Sequence, residues 1–262
     1  MWKNKLVVLV SFAVLCPLLI LEAAWCGPVT LYENIKGEFM LETWTAGDIR
    51  AVRLPQAEGE ALMARITNSA HMAVAGFGET ANATLRAGDD TKSAAFALLG
   101  PAKPLPEWRR CKLAFGYASA RPGDSTVLLM NMCNTCQDNK EYAASFFVGF
   151  SPSVLPKEYR QHIKRFAPTK GVHAGLATQS GLRLGLTREE VEGVLGKPLW
   201  KEKDTYHYQA TRYIQLSSEF LISRWQWPKD VEAKLGGDDH RITVWFVGGR
   251  VSAFEVLKFY DL

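Results

Sequence analysis

The chain has no dense run of lysine or arginine. Its 31 basic and 27 acidic residues leave a net charge of +4 spread along 262 positions. Nucleic-acid binding of the kind that needs a clustered basic face is therefore not expected. There is no HExxH pair, no GxSxG elbow, and no GKS or GKT behind the glycines of Ala75-Gly-Phe-Gly78. Metalloprotease, serine-hydrolase and phosphate-loop chemistry lose their usual carriers. Cysteine is scarce, with five residues, and no second close pair accompanies Cys133-Asn-Thr-Cys136, which argues against a four-thiolate zinc site. No internal repeat or low-complexity tract is found, and beyond residue 21 no stretch is long and apolar enough to span a bilayer.

What is present begins with a leader. Met1-Trp-Lys-Asn-Lys5 precedes an apolar run over 6–21 and the small residues Ala23 and Ala24, the order of a secretory signal. The run is about 16 residues, short of the roughly 20 that cross a bilayer, and Pro17 interrupts it. We read residues 1–24 as a signal peptide and the mature chain as periplasmic or secreted, with no stable membrane insertion after cleavage. Loss of Lys3, Lys5 and Glu22 lowers the net charge to +3. Trp25 stands before Cys26, where lipid attachment wants a small residue, so a soluble exported protein is expected. In an oxidising compartment Cys111, Cys133 and Cys136 should form disulfides, joined by Cys26 if cleavage precedes it. Four cysteines leave three connectivities open. A redox dithiol at Cys133 and Cys136 is the alternative, but the segment lacks the helix N-terminus that lowers a thiolate pKa.

Between 28 and 150 short alternating or apolar segments recur at 37–44, 49–54, 83–86, 111–117, 126–130 and 144–150, separated by Gly, Pro and Asp turn signals. That spacing predicts an antiparallel β-sandwich or barrel. Residues 58–65 and 92–99 are Ala-rich and read equally as helix. Ser151-Pro-Ser-Val-Leu-Pro156 breaks the strand pattern, and residues 157–166 suit a short helix. Residues 151–178 are read as a linker.

The stretch GLTREEVEGVLGKP (185–198) is a helix with both ends written locally. Thr187 caps it with Glu190 three positions on, Leu186 can staple against Val191, and Gly196 with Pro198 stops it. Strand-like segments follow at 205–208, 212–216 and 220–225. Residues 242–247 and 250–256 flank Gly248-Gly249, a two-residue hairpin turn. The fold class expected is α+β: an N-terminal antiparallel β-sandwich-like domain over 28–150, then a small helix-on-antiparallel-sheet module over 179–262.

The pattern from Gly181 to Val191, then Leu195-Gly-Lys-Pro198, Tyr206-His-Tyr208, Val244-Trp-Phe246 and Gly249-Arg-Val251, resembles the BamE/SmpA/OmlA-like superfamily. That superfamily is similar in turn to the repeats of β-lactamase inhibitor proteins. The resemblance covers about 80 residues and implies an envelope scaffold or a protein-binding inhibitor without catalytic residues. The chain departs from it in lacking a convincing lipid-anchor cysteine and in carrying a long β-rich segment ahead of the module.

Function is accordingly expected to be non-enzymatic binding of a protein partner in the bacterial cell envelope, with inhibition of a secreted enzyme as the alternative. No cofactor or metal is expected. Ser223-Arg-Trp-Gln-Trp-Pro228 puts Trp225 and Trp227 on one face of a strand, where they either fill the core or form a binding face, and aromatics with arginine favour interfaces. Arg224, Trp225, Trp227 and Trp245 are the candidate partner-binding residues. Among the histidines, His207 should face away from Tyr206 and Tyr208, and Asp238-Asp-His240 reads as a solvated turn rather than a metal site.

Overall fold

The protein is described from a computed structural model that defines residues 28–45, 48–69, 71–74, 83–87, 92–105, 113–134, 141–216 and 234–261. An antiparallel meander opens it: β1 (Val29–Glu33), β2 (Phe39–Thr45) and β3 (Asp48–Arg53). Helix α1 (Gln56–Asn68) follows, burying Gly59, Met63 and Ile66 at three- and four-residue spacing. β4 (His71–Val74) and β5 (Ala83–Arg86) pair with each other, and α2 (Lys92–Leu99) follows them. The two Ala-rich stretches that read equally as strand or helix are thus both helices. The short β6 (Pro104–Leu105) precedes β7 (Leu113–Ser119), β8 (Val127–Asn134) and β9 (Glu141–Gly149), which form an antiparallel ladder.

Residues 151–166 contain α3 (Lys157–Arg160) between two turns of 3₁₀-helix. β10 (Ala167–Thr169) joins β7, and β11 (Ala177–Thr178) joins β4. Helix α4 (Arg188–Leu195) leads to β12 (Trp200–Glu202), β13 (Thr205–Leu216), β14 (Lys234–Val247) and β15 (Arg250–Asp261).

The expected sandwich followed by a small helix-on-sheet module does not form. Strands from both ends of the chain share one mixed twelve-stranded sheet, in the order β10-β7-β8-β9-β15-β14-β13-β1-β2-β3, with β6 on β7 and β12 on β13. β9 pairs antiparallel with β15, and β1 lies parallel to β13 with Leu31 opposite Ala210. The physical reason is that alternation marks a strand but not its partner. A parallel neighbour can lie at any distance along the chain. β4, β5 and β11 make a separate three-stranded sheet.

Alternation then sorts side chains to two faces. Leu128, Met130, Phe146, Val148, Ile242, Val244, Phe254 and Val256 point to an inner core, where Met63 and Ile66 of α1, Leu99 of α2 and Val191 and Leu195 of α4 cover them. Leu129, Phe147 and Ala253 point to the outer face. There residues 151–166 lie over them and bury Leu155, Tyr159 and Phe166. Gly116 on β7 is what lets this segment close, because a Cβ there would sit 2.4 Å from the Phe166 ring.

The C-terminal signals fold as written. Thr187 and Glu190 complete a reciprocal capping box, with the Thr187 amide donating to Glu190 Oε2 at 2.7 Å and the Glu190 amide to Thr187 Oγ1 at 3.2 Å. Leu186 and Val191 are both buried, Gly196 takes a φ of 83°, and Gly248 and Gly249 turn the β14–β15 hairpin at φ of 59° and 77°. Tyr208 Oη donates to the Gly196 carbonyl at 3.0 Å, tying the helix stop to β13. Among the described residues no helix is long and apolar enough to cross a membrane.

Candidate functional site

A cleft of about 410 Å³ opens on the outer face of the sheet, between the strands and the segment that covers them. Its floor is Leu129 of β8, Phe147 of β9, Ala253 of β15 and Trp245 of β14; Val154, Leu155 and Pro156 form the opposing wall. That volume lies within the range of small-molecule and side-chain pockets, and the apolar walls are what such pockets use for affinity.

Each wall has a local cause. Period-two alternation sends Leu129 and Phe147 outward while their neighbours fill the inner core. Trp245 stands at a register shift between β14 and β15, where Phe246 pairs with Val251 and Trp245 with Ala253. A β-bulge of this kind re-aims a side chain. The half-buried Trp245 ring lies 5.5 Å from the Phe147 ring at a tilt of 48°. Ser252 Oγ donates to the Trp245 carbonyl at 3.1 Å and steadies the bulge. The wall is set by Ser151, which caps the first 3₁₀ turn, and by Arg160, whose Nε donates to the Leu155 carbonyl at 2.7 Å.

The lining also carries charge. Arg160 and Asp204 are exposed, Glu255 lies half-buried opposite Phe147, and Asp204 pairs with Arg188 at 2.5 Å. The guanidinium of Arg188 in turn lies 4.6 Å from the centre of the Phe246 ring and 5.3 Å from that of Tyr206. Val247, 64 % exposed, forms an apolar lip at the hairpin end. The lining holds no histidine, cysteine or lysine, and its serine hydroxyl is engaged with backbone.

Of the candidate partner-binding residues, Trp245 lines this cleft, whereas Arg224, Trp225 and Trp227 lie outside the described residues. Cys111 and Cys136 also lie outside them, and Cys133 is placed by its backbone alone, opposite Tyr142 on β9. Residues 129, 147, 155 and 160 were not singled out by sequence. Their one signal was the Pro-bounded break at 151–156, which marks a chain leaving a ladder but not what it then covers.

The histidines divide. His207 does face away from Tyr206 and Tyr208, and it stacks on Trp200 with ring centres 4.3 Å apart and planes 4° from parallel. Burial holds its pKa below 6.5, with Glu202 at 3.9 Å pulling the other way. The solvated turn expected at 238–240 is instead interior β14. His240 is 5 % exposed, and its Nε2 lies 3.3 Å from Asp238 Oδ1, to which Lys258 Nζ comes within 3.8 Å. Burial pushes the Asp238 carboxyl up, but the hydrogen bond and charge of His240, with the charges of Lys258 and Arg212, outweigh it and hold the pKa below the usual value. Among the described residues no group of three or more His, Cys, Asp or Glu side chains is arranged to hold a metal ion. Comparison of the chain with protein-family models, with curated proteins and with solved structures finds no match in any of the three.

Proposed function

We propose that this chain is an exported, non-enzymatic binding protein of the bacterial envelope, and that the outer-face cleft is where it grips a protein partner. The observation that carries the reading is the largely apolar recess built around Trp245, Phe147 and Leu155, with Arg160, Asp204 and Glu255 as its charged lining. An aromatic anchor in a pocket ringed by polar groups is the anatomy of an interface hot spot. Export is supported by the basic, apolar and small-residue order of residues 1–24. The resemblance of 181–251 to BamE-like envelope proteins supports the same compartment.

A photo-crosslinking amino acid at the exposed Val247 tests the reading in cells that export the full chain. Crosslinks to a discrete polypeptide are expected, and Trp245→Ala should abolish most of them while the melting temperature stays within a few degrees. Truncation of a hot-spot tryptophan costs about 2–4 kcal/mol of binding, a loss of roughly 30-fold or more. Crosslinks that survive Trp245→Ala in a folded protein reject the cleft.

A further inference from the structure

The segment that walls the cleft is strongly basic. Lys157, Arg160, Lys164 and Arg165 stand against Glu158 alone, and all are exposed. Burial of Leu155, Tyr159 and Phe166 pins one side of the segment to the sheet and leaves these charges on the other. The fold adds cations from elsewhere. Arg165 Nη2 donates to the Pro104 carbonyl at 2.7 Å, beside exposed Lys103, and Arg121 Nη2 reaches the Lys170 carbonyl at 3.5 Å. Exposed cations thus collect along the wall, with Asp124 as the acid in the turn of Arg121, and Arg160 belongs both to this surface and to the cleft, whose sheet side carries Asp204 and Glu255.

We propose that this surface recognises acidic residues flanking an apolar side chain, so that the partner presents a short polypeptide segment with a Leu- or Phe-like residue for the cleft and Asp or Glu beside it. This rests on the reading of the cleft as a partner site. Charge complementarity selects an acidic flank lying along the wall, over Lys157, Arg160, Lys164 and Arg165 and away from Asp204 and Glu255 on the sheet side, since opposed potentials steer encounter. Concavity selects a polypeptide over a lipid surface: the apolar area beside the cations is a recess that a protruding side chain enters and a flat bilayer does not.

A random peptide library displayed on phage and panned against the immobilised full chain tests this. Enriched peptides should carry Asp or Glu adjacent to a large apolar residue and should be lost with Trp245→Ala. Lys157→Glu combined with Lys164→Glu changes two exposed positions and should weaken an enriched peptide roughly tenfold, as two or three surface ion pairs allow. Raising salt to about 0.5 M should act in the same direction. Enriched peptides that depend on Trp245 but show no acidic bias would overturn the charge inference and leave the cleft reading standing. Failure to enrich any Trp245-dependent peptide removes both. Binding to phosphatidylglycerol vesicles that the double reversal abolishes, without acidic bias in the peptides, would reassign the surface to membranes and overturn the inference.

Discussion

His207 illustrates how a single residue reports its surroundings. Its imidazole is stacked on Trp200 and mostly removed from water, so the neutral form is favoured. The folded state then binds a proton less readily than the unfolded chain. Its contribution to stability is complete above the ordinary pKa of 6.5 and is lost as the pH falls through the lower, folded value. Thermal melts of the wild type should therefore fall between about pH 7 and about pH 5, and His207→Gln should make that fall shallower. His173, also depressed by burial and next by Arg121, leaves part of the slope in place. An unchanged slope would show that His207 does not titrate on unfolding. The face of this residue was readable in advance, because Tyr206-His-Tyr208 can alternate in only one way on a strand. Asp238-Asp-His240 reads as a turn for the converse reason. Its polar residues imitate a turn, and only cross-strand partners make a strand of them: Arg212 lies opposite Asp238 and Lys258 opposite His240, and Thr211 Oγ1 donates to Asp239.

At the scale of elements, what was legible is what is local. α4 is specified by its own cap, staple and stop, and the β14–β15 hairpin by two glycines, so both could be read from a dozen residues each. α1 could not, because Ala-rich sequence suits a helix while its buried positions depend on a distant strand. Gly59 shows the dependence. In a helix interior, glycine costs about 1 kcal/mol relative to alanine, so Gly59→Ala ought to stabilise. A Cβ there would lie 2.2 Å from Cγ of the buried Phe39 ring on β2. Overpacking of this kind costs typically 1–3 kcal/mol, which matches or exceeds the propensity gain. Gly59→Ala is expected to lower stability by about 1 kcal/mol in denaturant titration. A gain would mean that Phe39 moves aside at little expense. The cleft was the least legible feature. Trp245 could be nominated as an aromatic on a displayed strand, but its pocket needs a bulge, two more strands and a covering segment from three separate stretches of chain.

For the whole molecule, the decisive fact is that one sheet recruits both halves. β13 offers one side to β14 and the other to β1, and β15 lies between β14 and β9. A fragment of residues 179–262 would expose both flanks of its three long strands, with unpaired backbone groups on each. Such a fragment is expected to be unfolded or aggregated, whereas the full chain should lose its far-UV and near-UV circular dichroism signals in coincident transitions. A monomeric fragment with dispersed amide resonances would contradict this. The inner core explains the dependence: Leu31 and Leu41 from the first strands share it with Tyr208, Val244 and Val256 from the last.

The parallel pairing of β1 with β13 has a temporal consequence. Glu33 and Arg212, joined by an ion pair at 2.5 Å, are separated by 179 positions. Whatever leaves the ribosome first must therefore wait for nearly the entire polypeptide before its docking place exists. Distant pairings of this sort slow folding, because loop closure is costly before any contact rewards it. On the export route proposed above, which a polypeptide travels as an open chain, such delay is useful. The final arrangement is out of reach until the last hairpin has been made.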